Sequence, residues 1–220
     1  MIKAVLFDMD GVVLDTEKLY TRFWKQAVEE CGFHMTWEQL LGLRSLGQEY
    51  ADAYFKGILG PNAREDTIRQ IRRVRMKEYT DQYGIEKKPG IDETLRGLKE
   101  RGIPAVIATA SQPSRAKQFL NEVGLASAFD RILTTQQVAH GKPEPDIYLS
   151  ACSQLGIEPG EAVAVEDSDN GVTSAWRAGC RVIMVPDLSQ PDEKLKEKLS
   201  AVAKDLTGIL PYIDQWNNEK

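Results

Sequence analysis

Apolar and polar positions follow two different rhythms along this chain. Residues 2–7 form a short, mostly apolar run of the kind that becomes a buried strand. Apolar side chains then recur at helical spacing for about seventy residues. We predict four helices there, over residues 17–31, 36–41, 47–56 and 64–83, with a break at 57–62.

From residue 91 onward, predicted helices and predicted strands alternate. The helices are expected at 92–101, 113–123, 146–155 and 170–178. The strands that follow them are expected at 104–108, 131–134, 162–165 and 181–185, and the C-terminal remainder is expected to be helical. Such alternation favours a parallel sheet with helices on both faces. The first strand belongs to this sheet, so the helices that follow it form an inserted module.

Composition and charge narrow the class of protein. A chain of 220 residues with 42% hydrophobic residues can bury one large domain, or one domain and a smaller one. A net charge of -5 argues against nucleic acid as the main partner. We expect no membrane span, since no apolar run approaches ~20 residues, and no signal peptide. A cytoplasmic monomer is therefore expected, and three widely spaced cysteines indicate no disulfide framework.

Two carboxylates stand at the end of the first strand. Asp8 and Asp10 are two residues apart, so in an extended chain their side chains point the same way. They would lie at the carboxyl end of a strand, where open α/β sheets bind ligands. Carboxylates that close repel unless a proton or cation lies between them. The pair indicates a hard metal ion, acid/base chemistry or both; the alternative is a hairpin turn at Asp10-Gly11.

The second strand of the predicted sheet, at 104–108, is followed by hydroxyl-bearing residues. Thr109 and Ser111 lie just before a predicted helix, whose free N–H groups can bind an anion. The alternative is simple capping, with Ser111 as the N-cap and the Thr109 hydroxyl satisfying a local backbone group. Lys142 lies in the proline-rich stretch 141–146, where a lysine could neutralise a phosphate and a carboxylate together. The alternative for Lys142 is an ordinary solvated lysine.

A further apolar strand ends in Glu166 and Asp167. Carboxylates at a strand end suit Mg²⁺, which takes oxygen ligands and keeps several waters. The alternative is a helix cap formed by Ser168, Asp169 or Asn170. Taken together, the four loops supply two carboxylate pairs, a hydroxyl and a lysine. That set fits phosphoryl transfer, which needs a nucleophile, a proton donor, a phosphate clamp and a metal.

The motifs FDMDGV at 7–12, KPEPD at 142–146 and EDS at 166–168 occur in the order found in one family. The chain resembles haloacid dehalogenase superfamily phosphatases, and within them the β-phosphoglucomutase-like subgroup with a helical cap. The resemblance implies the α/β fold class, with a Rossmann-like three-layer α/β/α core, a parallel sheet and an inserted α-helical cap domain. The implied boundaries are residues 1–15 and 88–220 for the core and residues 16–87 for the cap.

The resemblance also implies roles for these residues. Asp8 would be the nucleophile that forms an aspartyl-phosphate, and Asp10 the general acid and base. Thr109, the Ala110 N–H and Lys142 would hold the phosphoryl oxygens. Mg²⁺ would be bound by the carboxylates of Asp8 and Asp167 and the backbone carbonyl of Asp10, with Glu166 binding it directly or through water.

Substrate choice would belong to the cap. Residues 42–45 resemble the loop with which the family's cap reaches the substrate, and Arg44 is the first candidate for a substrate contact. Arg75 is the second, although it lies among other cations on what can be a solvated helix face. Tyr20 departs from the family pattern, because relatives, the mutase included, often carry histidine there.

We therefore expect a Mg²⁺-dependent phosphatase acting on a small phosphorylated metabolite, such as a sugar phosphate. The alternative is a hexose-phosphate mutase resembling β-phosphoglucomutase, which would need a bisphosphate activator and release little phosphate. A third possibility is a non-catalytic protein that binds a phosphorylated metabolite, because fold does not fix function.

Overall fold

The computed structural model describes residues 1–219, and its centre is a six-stranded sheet in the order β3-β2-β1-β4-β5-β6. All neighbouring strands are parallel. The strands are β1 Ala4–Phe7, β2 Ala105–Thr109, β3 Arg131–Thr134, β4 Ala162–Glu166, β5 Arg181–Met184 and β6 Ala201–Val202. The predicted α/β class is confirmed, and the five strands expected from sequence lie within one or two residues of their predicted bounds.

Helices flank this sheet and fill the insertion after β1. The insertion contains α1 Glu17–Glu30, α2 Trp37–Leu41, α3 Gln48–Leu59 and α4 Glu65–Tyr83. The remaining helices are α5 Ile91–Glu100, α6 Pro113–Glu122, α7 Asp146–Leu155, α8 Asp169–Ala178, α9 Glu193–Lys196 and α10 Ile209–Asn218. No helix in the described part of the chain is both long and apolar enough to span a membrane.

The sheet is buried on both faces because its central strands β1, β2 and β4 are apolar except at the carboxyl ends of β2 and β4, where Thr109 and Glu166 stand. Along β1, Val5 and Phe7 pack into one hydrophobic cluster, whereas Ala4 and Leu6 pack into another. Adjacent side chains of a strand point to opposite faces, so the two clusters lie on opposite sides of the sheet. This arrangement makes the three-layer core, with helices covering each face.

The inserted helices have a hydrophobic cluster of their own, which includes Trp24, Phe55 and Ile68. The rings of Trp24 and Phe55 lie 5.3 Å apart, and this contact joins α1 to α3. Phe23 and Tyr79 join α1 to α4 at 5.6 Å. These contacts agree with a helical cap, and residues 16–87 remain the proposed bounds of that domain.

Two predictions of local structure were wrong. The predicted break at residues 57–62 begins too early, because α3 continues through Gly57 to Leu59 and ends at Gly60. The φ of Gly60 is 90°, a conformation that ends a helix readily when the residue is glycine. The C-terminal segment contains the short strand β6, which pairs with β5 and is only two residues long. A strand that short leaves no periodic pattern to detect.

The alternative hairpin at Asp10-Gly11 is also excluded, because β1 pairs in parallel with β2 and β4 on its two sides. Gly11 instead has a φ of 85° and lies against Asp167. A Cβ atom at this position would come within 2.5 Å of Oδ2 of Asp167. Glycine is therefore required here both by the left-handed backbone and by the close approach of the carboxylate.

Candidate active site

The acidic motifs meet because β1 lies between β2 and β4 in the sheet. The loops that follow these three strands emerge side by side at the carboxyl edge of the sheet, under helices α1 to α4. A cavity of about 310 Å³ opens there and is lined from the core by Asp8, Asp10 and Thr109. Residues of the cap helices and of the loop between α2 and α3 line its other side.

Lys142 joins the two acidic motifs. Its Nζ donates a hydrogen bond to Oδ1 of Asp8 at 3.0 Å and to Oε1 of Glu166 at 2.7 Å. The lysine is completely buried, so the alternative of a solvated loop lysine is excluded. Burial alone would lower the pKa of Lys142, but the carboxylates of Asp8 and Glu166 raise it above its ordinary value. The site therefore holds a permanent positive charge beside Asp8.

Tyr148, on α7, is a site residue that the sequence did not reveal. Its buried hydroxyl donates a hydrogen bond to Oε1 of Glu166, the same oxygen that Lys142 contacts. Burial raises the pKa of Glu166 to about 7, even though both donors favour its charged form. The only signal in the sequence is a tyrosine on the buried face of α7, among Ile147, Ala151 and Cys152.

Three carboxylates form a compact group that could hold a metal ion. Oxygen atoms of Asp8, Glu166 and Asp167 lie within 4.8 Å of one another, and all three residues are buried. Oε2 of Glu166 and Oδ1 of Asp167 are buried without a hydrogen-bond partner. Unpaired buried carboxylate oxygens are costly, and a hard divalent cation is the ligand that would satisfy them. The donor set thus fits Mg²⁺.

Asp10 is turned to a different set of partners. Its carboxylate accepts hydrogen bonds from Oγ1 of Thr16 at 2.6 Å and from Oγ of Ser111 at 2.7 Å. Its carboxylate is outside the acidic group formed by Asp8, Glu166 and Asp167. Burial raises the pKa of Asp10, and the two hydroxyl donors oppose that rise. This carboxyl is therefore suited to carrying a proton.

The loop after β2 confirms one part of the capping alternative, the local contact of Thr109, and contradicts the other part, which concerns Ser111. Thr109 is buried, and its Oγ1 accepts a hydrogen bond from the backbone N–H of Ser111 at 3.0 Å. Thr109 and Ala110 both line the cavity. The alternative of Ser111 as the N-cap is wrong, because α6 begins at Pro113 with Gln112 at the N-cap. The Ser111 hydroxyl instead serves Asp10.

The cap contacts this site through residues 42–47, which connect α2 and α3 and which we call the cap loop. Nη1 of Arg44 lies 3.2 Å from Oδ2 of Asp167, and both side chains are buried. Oγ of Ser45 donates a hydrogen bond to Oδ2 of Asp8 at 2.9 Å. Nδ2 of Asn170, on α8, donates to the backbone oxygens of Gly42 and Arg44. The cap is thus closed against the core.

Arg75 does not reach the cavity. Its side chain is half exposed and makes ion pairs with Glu30 and Glu78 on the outside of the cap. The structure therefore supports the solvated-face alternative for this residue and not a substrate contact. Other arginines of the same helix, Arg69, Arg72 and Arg73, line the cavity instead. The sequence does not identify the inner face, because α4 carries arginines both on its cavity face and on its exposed face.

Glu17, the first residue of α1, is a further buried acid and was not predicted as a site residue. It lines the cavity, and its pKa lies well above the ordinary value because of burial and the nearby Asp167 and Asp10 carboxylates. The Cγ atom of Glu17 is 2.8 Å from the position that a Cβ on residue 11 would take, so Glu17 packs directly against the loop after β1. Its position at the start of a helix gave no hint of this burial.

Comparison with known proteins identifies the family. The model of the haloacid dehalogenase-like hydrolase family matches residues 5–185. Hexitol phosphatase A of Escherichia coli is 32% identical over 185 residues, which are 83% of this chain and 82% of that protein. The crystal structure of CbbY from Rhodobacter sphaeroides in complex with phosphate has a TM-score of 0.77 and 27% identity, covering 95% of this chain and 96% of that one. The β-phosphoglucomutase of Clostridium difficile shares the fold, with a TM-score of 0.82 and 23% identity over 100% of this chain and 98% of that chain. The chain belongs to the haloacid dehalogenase-like hydrolase family and is a phosphatase of its β-phosphoglucomutase-like subgroup.

Proposed function

We propose that this protein is a Mg²⁺-dependent phosphatase that hydrolyses a small phosphorylated metabolite of the sugar or sugar-alcohol type through an aspartyl-phosphate on Asp8. The observation that carries the proposal is the contact of Lys142 with both Asp8 and Glu166. This contact puts a buried cation beside the carboxylate that we propose as the nucleophile. The phosphatase relatives, hexitol phosphatase A among them, support a phosphate ester as the substrate.

The proposed chemistry begins with attack on phosphorus by the carboxylate of Asp8. The ester oxygen leaves with a proton from Asp10, whose raised pKa favours the protonated form that this step needs. A water molecule then attacks the phosphorus of the aspartyl-phosphate, and Asp10 takes up a proton from that water. The P–O bond to Asp8 breaks, which releases phosphate and restores the free carboxylate.

Other side chains would hold the transferred phosphoryl group. Lys142 is the buried cation next to Asp8, and it would neutralise charge that develops on the phosphoryl oxygens. Thr109 and Ala110 line the cavity, and the Thr109 hydroxyl and the Ala110 backbone N–H would donate hydrogen bonds to those oxygens. Ser45 already contacts the Asp8 carboxylate and would exchange that contact for the substrate.

The group formed by Asp8, Glu166 and Asp167 would hold Mg²⁺, together with the backbone carbonyl of Asp10. The fit rests on the two unpartnered carboxylate oxygens of Glu166 and Asp167. When bound, the ion would supply positive charge that brings an anionic phosphate to an anionic nucleophile. Lys142 and Tyr148 both hold Oε1 of Glu166, and this fixes the direction of its second oxygen.

The test is a panel of phosphate esters assayed with Mg²⁺ and with a chelator, using the wild-type protein and Asp8→Asn. We expect phosphate release that requires Mg²⁺ and that is abolished in Asp8→Asn. A matched control is Asp52→Asn, which alters an exposed aspartate paired with Lys56 on α3. Acid quenching during turnover, followed by peptide mass mapping, should find the phosphate on the peptide that contains Asp8. Undiminished turnover by Asp8→Asn would overturn the proposal.

The same panel separates hydrolysis from the alternatives raised by the sequence. A hexose-phosphate mutase would convert a hexose 1-phosphate to its 6-phosphate in the presence of a bisphosphate and release little phosphate. We expect the reverse, with phosphate release exceeding isomerisation. Failure to hydrolyse any ester, combined with measurable binding of esters, would identify a non-catalytic protein.

A further inference from the structure

A further contact between cap and core lies on the backbone that carries Lys142. The backbone oxygen of Lys142 accepts a hydrogen bond from the N–H of Gly47, in the cap loop, at 2.8 Å. The N–H of Gly141, the residue before Lys142, donates to Oε1 of Glu49, the second residue of α3. The cap therefore holds two backbone groups of adjacent core residues, one donor and one acceptor.

Gly141 and Gly47 pack backbone against backbone. Both residues are buried. A Cβ atom on residue 141 would lie 2.8 Å from the Cα of Gly47 and 3.3 Å from Oε1 of Glu49. The φ of Gly141 lies outside the left-handed region, so it is the nearness of the cap, and not the backbone conformation, that excludes a side chain here.

The cap alone supplies the partners of these two backbone groups. Within residues 1–219, the Gly141 N–H and the Lys142 oxygen have no hydrogen-bond partner outside the cap. The core holds the loop from the next residues on, since Ser174 and Arg177, both on α8, donate to the backbone oxygens at 144 and 143. Cap contacts thus decide how firmly the backbone of Lys142 is held.

The other end of Lys142 is in the reaction centre. Its Nζ lies 3.0 Å from Oδ1 of Asp8 and 2.7 Å from Oε1 of Glu166, and the whole side chain is buried. A lysine side chain is a flexible four-carbon stem, so the position of Nζ under load depends on where the backbone is fixed. The bond from the Gly141 N–H to the Glu49 carboxylate is charge-assisted and stronger than a bond between neutral groups.

We infer that Glu49, with the backbone N–H of Gly47, positions Lys142 for phosphoryl transfer, so that Lys142 is fully fixed in the site only when the cap is closed. Glu49 is a positioning residue, which acts through the backbone of Gly141 and Lys142. The coupling makes the chemical step depend on a closed site from which bulk water is excluded. This inference rests on the proposed phosphatase function, in which Lys142 neutralises charge on the phosphoryl group.

Substitutions of Glu49 test the contact from the cap side. Glu49→Ala removes the acceptor, whereas Glu49→Gln keeps an oxygen in its place. Glu49 is exposed apart from this contact, so both variants should fold. With Mg²⁺ and a hydrolysed ester, we expect Glu49→Ala to lower kcat about tenfold and to change KM by less than about twofold. Glu49→Gln should stay within about threefold of the wild-type kcat.

The matched control for these variants is Asp52→Ala, which removes an exposed acid three residues along α3 whose partner is Lys56. It should match wild type in kcat and KM. Glu49 also lines the cavity, so the division of the effect between kcat and KM matters. A residue that only contacts the substrate would raise KM and leave kcat unchanged.

Gly141→Ala tests the same contact from the core side. The added Cβ would lie 2.8 Å from the Cα of Gly47, so the start of α3 must move away from the loop. We expect a loss of kcat similar to that of Glu49→Ala, although the Glu49 side chain is intact. Gly160→Ala is the control, because nothing lies within 4 Å of its added Cβ, and it should match wild type.

Two measurements report on the contact without turnover. By NMR, amide hydrogen exchange at Gly141 should be at least about tenfold faster in Glu49→Ala, while exchange at Leu6, in the middle of β1, should not change. Acetylation of Lys142 by acetic anhydride, followed by mass spectrometry, should be at least about threefold faster in Glu49→Ala and in Gly141→Ala. Glu49→Gln should restore slow exchange at Gly141 and slow acetylation of Lys142.

The inference is overturned if Glu49→Ala leaves the exchange at Gly141 or the acetylation of Lys142 as in wild type. It is also overturned if Glu49→Ala raises KM with kcat unchanged, or if Glu49→Gln is impaired as strongly as Glu49→Ala. If no ester is hydrolysed but Glu49→Ala speeds both the exchange at Gly141 and the acetylation of Lys142, the positioning of Lys142 stands and the proposed phosphatase function fails.

Discussion

The guanidinium of Arg44, on the cap, lies 3.2 Å from the carboxylate of Asp167, at the end of β4 on the core, and both groups are buried. Nη1 of Arg44 also donates to the backbone oxygen of Asp167. The other carboxylate oxygen, Oδ1, has no hydrogen-bond partner. The cap therefore supplies a cation to one of the carboxylates that we assign to the metal site.

A divalent cation bound by Asp8, Glu166 and Asp167 would lie close to the guanidinium of Arg44. Like charges at such distances repel each other. We expect Arg44→Gln to lower the free energy of unfolding by about 3 kcal/mol in a chelator, because Asp167 loses its buried partner. Arg44→Gln should then bind Mg²⁺ at least about tenfold more tightly than wild type does, and Mg²⁺ should raise the Tm of Arg44→Gln by more than it raises the Tm of wild type. Thermal unfolding across a Mg²⁺ titration measures both effects.

The control for this measurement is Arg75→Gln, which removes an exposed arginine whose partners are Glu30 and Glu78. Exposed ion pairs contribute little to stability, so this variant should match wild type with and without Mg²⁺. A Mg²⁺ titration of Arg44→Gln that superimposes on that of wild type would show that Arg44 and the ion do not compete.

Ser111 is expected to tune the proton affinity of Asp10. Its hydroxyl donates a hydrogen bond to the carboxylate at 2.7 Å, which stabilises the charged form. Ser111→Ala should therefore raise the pKa of Asp10, and the limb of the kcat profile that reports this group should move to higher pH. Ser153→Ala, at an exposed position on α7, is the control. If the pH profile of kcat does not shift in Ser111→Ala, the group that titrates in that profile is not Asp10.

The strands and the acids at their ends could be predicted from sequence because both are local signals. An apolar run followed directly by Asp8, or by Glu166 and Asp167, shows in the sequence itself. The parallel order of the strands then follows from the alternating helices, and the carboxyl edge of the sheet brings the loops together. This is why Lys142, more than a hundred residues from Asp8, could be expected beside it.

The contacts that the sequence did not reveal are made by side chains whose direction depends on packing. Tyr148, on α7, contacts Glu166 at the end of β4, and Ser45, in the cap loop, contacts Asp8 after β1. Helix α4 shows the same limit, because it carries arginines on its inner and outer faces and the sequence pattern does not say which of them point inward. The structure turns Arg72 to the cavity and Arg75 to solvent.

Tyr148→Phe tests whether the hydrogen bond from the Tyr148 hydroxyl to Glu166 contributes to stability as well as to activity. Removing a hydrogen bond to a buried carboxylate should cost about 1–3 kcal/mol when that carboxylate is charged. The pKa of Glu166 is raised to about 7 by burial. In a chelator, the cost should therefore be small well below pH 7, where Glu166 is protonated, and should grow as the pH rises through 7 and the carboxylate becomes charged.

Urea unfolding at pH 6 and pH 8 measures this difference. Tyr54→Phe is a matched control, since the Tyr54 hydroxyl donates to the neutral backbone oxygen of Gln39 at 2.7 Å. Its loss should cost about 1 kcal/mol at both pH values. With Mg²⁺, Tyr148→Phe should also lower kcat, because Glu166 loses one of the two donors that orient it. Equal stability losses at the two pH values would contradict the assigned contact.

Asn170 is expected to hold the cap closed. Its Nδ2 donates hydrogen bonds at 3.1 Å and 2.8 Å to the backbone oxygens of Gly42 and Arg44, both in the cap loop. Each such bond contributes about 1 kcal/mol, so Asn170→Ala should shift the resting protein toward an open cap. We expect a larger radius of gyration by X-ray scattering without substrate, and kcat/KM lower by about three- to tenfold because closing the cap consumes binding free energy.

Asn121→Ala, at an exposed position on α6, should change neither quantity. If Asn170→Ala keeps the scattering profile of wild type but loses activity, the side chain acts on the site itself and does not act through closure.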